Sequence, residues 1–84
     1  MTEFQGAVIR ERGVTFALMV VKEHVFDNPF ERTKAAAWGS MFFHVPTVLV
    51  CERRQRTFGR DDIVSMLRQV DVTQIPWRTY TVAA

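Results

Sequence analysis

Arg53, Arg54, Arg56 and Arg60 fall within eight residues with Phe58 among them, the densest group of chemically capable side chains in this 84-residue chain. Guanidinium forks match the oxygens of a phosphate, and an aromatic ring beside them can stack a nucleobase. The group therefore marks a candidate phosphate- or nucleic-acid-binding turn. Against that, Glu52 precedes it and Asp61 and Asp62 follow it, so much of the local charge is offset. Nucleic-acid-binding domains generally present a broader basic face. The alternative is a solvated turn whose charges keep a sheet edge from pairing with other chains.

Other reactive side chains are few. Cys51 could act as a nucleophile if His24 or His44 stood beside it to take its proton. It equally suits a small buried hydrophobe on a central strand. His24 and His44, with Glu23 or Asp27, have donor types that bind metals, but their spacing matches no recognisable ligand set. A single cysteine excludes an intramolecular disulfide and a CxxC redox pair, and it fits a reducing, cytoplasmic setting. No catalytic residue, cofactor-binding residue or metal ligand is assigned, no cofactor is called for, and the chain reads as a non-catalytic domain.

Aromatic residues form the third candidate group. Trp and Tyr are enriched at protein interfaces, and Trp77, Tyr80 and Val82 belong to a C-terminal stretch with the alternation of an edge strand. An edge strand can pair with its symmetry mate. Homodimerisation, or docking of an unidentified protein partner, is the expectation for Trp77, Tyr80 and Val82. Trp38, Phe42 and Phe43 supply further aromatic surface that either joins such a face or enters the core.

These residues must be positioned by a small set of elements. Phe4 to Glu11 and Val14 to Lys22 read as two antiparallel strands around Arg12-Gly13, since glycine accepts the positive φ of a tight turn. In the second strand Phe16, Leu18 and Val20 point one way and Ala17, Met19 and Val21 the other, the pattern of a strand covered on both faces. Asn28-Pro29 signals a helix start, with Asn28 as N-cap and Pro29 at the first helical position. The helix either stops near Trp38 at Gly39 or passes Gly39 close to the sheet and continues to Phe42. Phe30, Ala37, Trp38 and Met41 are its expected buried face. Val45 to Glu52 is a β-branched strand with Pro46 at its beginning. Thr57-Phe58 forms a short return. A second helix opens at Asp61 or Asp62 and runs to about Asp71, burying Ile63, Leu67 and Val70. Residues 1–84 thus make one domain of the α+β class, a small two-layer sandwich of order ββαββα with a C-terminal edge strand.

The run Val45-Pro46-Thr47 into an apolar strand, then a turn, Phe58-Gly59 and a helix carrying Ile63 and Leu67, resembles the C-terminal half of thioredoxin and glutaredoxin domains. The match spans residues 45–67. It implies that Pro46 is a cis-proline lining a groove and that Gly59 makes a tight approach before the last helix. The family's redox chemistry requires an activated cysteine at a helix start, whereas His24 to Pro29 contains none, and this chain opens with a hairpin. The resemblance therefore implies a thioredoxin-like scaffold without the thiol activity.

Composition sets the remaining bounds. Eleven basic against nine acidic residues leave a net charge of +2, too small to select nucleic acid by itself. A 48% hydrophobic content with seven Phe and two Trp supports an independent fold, although a chain this short buries only about two-thirds of its unfolded surface. Its longest apolar run, Phe16 to Val21, falls far short of the roughly twenty residues that cross a bilayer. No membrane association is expected.

Overall fold

The computed structural model describes residues 2–51, 53 and 56–82. It begins with β1 (Thr2–Glu11) and β2 (Val14–Val21), an antiparallel hairpin that closes through Arg12 and Gly13. Both turn residues have positive φ, 52° and 80°. That is the requirement of a two-residue turn whose twist matches the strands.

Two helices follow. The short α1 (Glu23–Asp27) was not evident in the sequence, and it places His24 on a helix. Asn28 then ends α1 and begins α2 (Pro29–Phe43). Its side-chain oxygen accepts hydrogen bonds from the backbone N–H groups of Phe30 and Glu31 at 3.0 and 3.1 Å, satisfying donors that a helix start leaves free. At the other end His44 adopts a left-handed conformation and donates its N–H to the Ser40 carbonyl at 2.9 Å.

Gly39 does not terminate α2. It passes so close to the sheet that a Cβ there would lie 2.8 Å from Thr47 Cγ2 and 3.3 Å from Met19 Sδ. The helix therefore rests on the sheet through small residues, Ala35, Ala36 and Gly39, with Phe43 partly buried beyond them. This reverses the expected orientation. Phe30 and Met41 are 74% and 75% exposed, Ala37 is exposed, and Trp38 is only partly covered. Large side chains on the sheet-facing side would hold the helix too far off, so the bulky apolar stripe is the one that points outward.

The chain returns through β3 (Thr47–Cys51), parallel to β2, then β4 (Thr57–Phe58), antiparallel to β3. Pro46 accepts the Ala17 N–H at 2.9 Å. Its peptide bond is trans, so it does not take the cis-proline role implied by the thioredoxin-like resemblance. Gly59 lies against Val48, whose Cγ2 would be 2.9 Å from a Cβ at that position.

Helix α3 (Asp61–Leu67) ends before Asp71. From Gln69 the hydrogen bonds shorten to i→i−3 spacing, and the Asp71 carboxylate accepts from the Thr73 N–H and hydroxyl at 2.9 and 2.7 Å. This local pairing competes with helix continuation and opens a 3₁₀ turn at Val72–Gln74. The last strand, β5 (Arg78–Val82), pairs antiparallel with β1.

The sheet order is β4-β3-β2-β1-β5. The α+β class and the C-terminal edge strand are as the sequence indicates, and the ββαββα order gains one helix, α1, ahead of α2. The layering goes further than two, because the helices divide between the faces. Met19, Val21, Leu49 and Cys51 pack with Phe26, Ala35 and Ala36 under α1 and α2. Phe16, Leu18, Val48 and Val50 pack on the other face with Ile63 and Ile75. All five residues of β3 are buried, as expected of a strand covered on both sides.

Gly39→Ala tests the close approach. Alanine is favoured over glycine in a helix by about 1 kcal/mol, while overpacking costs about 1–3 kcal/mol. The expected result is a net loss of up to about 2 kcal/mol in urea unfolding, and no gain, with an unchanged m-value.

Candidate functional site

The arginine-rich turn connects β3 to β4 beside α1. Arg53 Nε lies 2.7 Å from Glu23 Oε1, and Arg56 Nη2 lies 2.6 Å from Asp27 Oδ1. Glu23 and Asp27 are four residues apart on one helix, so they share a face and receive the two guanidiniums together. Arg56 also covers the Phe26 ring at 4.7 Å. The Asp27 hydrogen bond holds its guanidinium more firmly protonated than usual. Arg60 grips the carboxylate of Asp62 through Nε at 3.2 Å and Nη2 at 2.8 Å. Arg54 lies outside the described residues.

Phe58 is half-buried and packs against the cluster around Met19 and Leu49. The guanidinium of Arg32, from α2, stands 4.5 Å above its ring. One face of the ring is thus already occupied. Arg32 escaped the sequence reading because it lies far from Phe58 along the chain. The Arg53–Glu23 and Arg56–Asp27 pairs are exposed, and together they fasten the β3–β4 turn to α1.

The aromatic residues separate into two places. Phe4, Trp38, Phe42, Phe43 and Tyr80 form one connected group drawn from β1, α2 and β5. Phe4 stacks on Tyr80 with centroids 5.3 Å apart, and Trp38 stacks on Phe42 at 5.1 Å. Phe43 meets Tyr80 edge-on at 5.2 Å and Phe42 at 4.9 Å. Such edge-on and offset contacts each add about 0.5–1.5 kcal/mol beyond buried area. The group anchors the end of α2 over the β1–β5 side of the sheet, and Trp38 and Phe42 remain 39% and 37% exposed. Val82 sits on the same side as Tyr80, two residues along β5. Trp77 packs with the core beneath the opposite face.

Beside Trp77 a cavity of about 210 Å³ opens between α3 and the sheet, lined chiefly by Leu18, Val50, Leu67, Val70 and Ile75. Its polar lining comes from Thr57 and Arg68. Cys51 is buried in the cluster under α1 and α2. His24 is exposed on α1, and His44 is exposed at the end of α2. Among the described residues, no group of three or more His, Cys, Asp or Glu is placed to hold a metal, and no helix is long and apolar enough to cross a membrane.

No family model matches the chain, and neither a curated protein nor a solved structure matches it.

Two carboxylates carry a pH signature. Asp62 is held below the ordinary carboxylate range by its hydrogen bond from Arg60, and Asp71 by those from the Thr73 side chain and backbone. Because both folded values are depressed, their stabilisation is complete above the unfolded value of about 3.9 and is lost as pH falls through the folded values. Carboxyl-detected NMR titration is expected to give midpoints for Asp62 and Asp71 below that of an unfolded reference peptide. In Thr73→Val only the Asp71 midpoint should move up.

Proposed function

We propose that this chain is a non-catalytic interaction domain that docks a second protein surface, either a copy of itself or another protein, through the outward face of α2 and the aromatic group at its end. The observation that carries this reading is the exposure of Phe30 and Met41 at 74% and 75%, alongside partly exposed Trp38 and Phe42 on the same helix. Scattered surface hydrophobes are ordinary. An α-helix with large apolar residues on its solvent side, whose buried side is already filled by small ones, has more apolar surface than its own fold uses. Covering a Phe or Met side chain fully yields about 1.5–3 kcal/mol, so a few such residues can anchor an interface.

This reading is favoured over phosphate or nucleic-acid binding at the arginine-rich turn because Arg53, Arg56 and Arg60 each already hold a carboxylate. A ligand phosphate would have to displace those carboxylates. A reducing, cytoplasmic location is part of the reading and rests on the single unpaired Cys51.

Phe30→Lys and Met41→Lys test it. Both positions are mostly in solvent, so unfolding free energy should change by no more than about 0.5 kcal/mol. Association, measured by sedimentation velocity of the chain alone and by quantitative co-purification, should weaken at least tenfold. A wild-type chain that binds nothing, or variants that bind as it does, would overturn the reading.

A further inference from the structure

The two edges of the sheet differ. At one end β4 has two residues and is flanked by the ion-paired Arg56 and Arg60, a short and charged edge of the kind that resists pairing. At the other end β5 has five residues and, among the described residues, pairs with β1 alone, on one side. It carries no proline, and its one charged residue is Arg78, at its first position. A strand of this kind leaves a row of backbone donors and acceptors facing outward.

We propose that β5 pairs antiparallel with β5 of a second copy about a twofold axis at Tyr80, joining the sheets into one of ten strands, five from each copy. This rests on the interaction-domain reading and names the partner for the β5 side of that surface. A second copy is the occupant that the edge itself specifies. With the axis at Tyr80, all five residues find partners: Arg78 opposite Val82, Thr79 opposite Thr81, and Tyr80 opposite Tyr80 of the other copy. Every other centring shortens the ladder, and centring on Arg78 sets two guanidiniums face to face, which like charges disfavour. The chosen register places Arg78 against an apolar partner at both ends.

The side chains agree with the backbone. Tyr80 already belongs to the ring group with Phe4, Phe42 and Phe43. Antiparallel pairing keeps each copy's α2 on the same face of the joined sheet. The two ring groups then meet at the axis and become one apolar cluster. Thr79 and Thr81 face the opposite side and are exposed, which lets them be altered without touching that cluster.

That exposure supplies a register-specific test by sedimentation equilibrium. The wild-type chain is expected to dimerise. Thr79→Lys/Thr81→Lys sets Lys against Lys at two cross-strand pairs and should weaken the dimer about tenfold; Thr79→Glu/Thr81→Glu should do the same. An equimolar mixture of the two should form a heterodimer. Thr79→Glu/Thr81→Lys sets opposite charges at both pairs, with the lysine also opposite Glu3 on β1, and should dimerise at least as tightly as wild type, with the gain reduced by salt. This last chain keeps the test decisive even if a like-charged variant fails to fold. A monomeric wild-type chain, a doubly like-charged chain that dimerises normally, a mixture that stays monomeric, or a Thr79→Glu/Thr81→Lys chain weaker than wild type would each overturn the proposal. If the wild-type chain is monomeric while a Met41-dependent partner is still captured, the β5 pairing falls and the interaction-domain reading stands.

Discussion

The approach of α2 to the sheet at Gly39 governs the rest of this structure. A Cβ at that position would lie 2.8 Å from the Thr47 methyl, so the helix is seated as deeply as a backbone without a side chain permits. Depth then fixes roll. Only the Ala35, Ala36 and Gly39 side of the helix is slim enough to enter, with Phe43 following where the helix end lies beside Phe4 and Tyr80. Phe30 and Met41, on the far side, have no place in the core. One steric constraint therefore sets both how the core is packed and which apolar residues face solvent.

The same seating organises the sheet. With α1 and α2 on one face and α3 on the other, β2 and β3 are interior strands covered on both sides, and their runs of buried residues follow. What remains uncovered is peripheral. The β4 edge is short and edged by paired charges, whereas β5 is longer and bears an aromatic group that continues onto α2. Asymmetry between two edges of one sheet is informative because open edges are usually blunted by length, charge or proline.

In the arginine-rich turn, two of the arginines find their partners far away along the chain. Four arginines around a phenylalanine have the composition of an anion site; Asp62 stands two residues from Arg60, whereas nothing local to the turn reveals the partners of Arg53 and Arg56. Glu23, Asp27 and Arg32 reach it from the helices, two of them as carboxylates that take up guanidinium charge and the third as a cation over the Phe58 ring. These partners at long sequence separation fasten the turn to a helix.

Local chemistry by itself determined the hairpin at Arg12-Gly13, the start of α2 at Asn28-Pro29, the double-sided burial of β2, and the order of strands and helices apart from α1. Each follows from a conformational preference or a hydrogen bond within a few residues of its cause, such as the Asn28 side chain reaching the N–H groups of Phe30 and Glu31. Only the tertiary structure decided the rest: that Gly39 is a contact and not an end, that the bulky stripe of α2 faces outward, that Trp77 leaves the ring group containing Tyr80, and that the helices divide between two faces. α2 has apolar residues on its sheet side, Ala35 and Ala36, as well as on its solvent side, Phe30 and Met41, so apolar spacing does not single out the buried face. Steric fit against Thr47 and Met19 supplies the missing choice, and it exists only once strands distant in sequence lie beneath the helix.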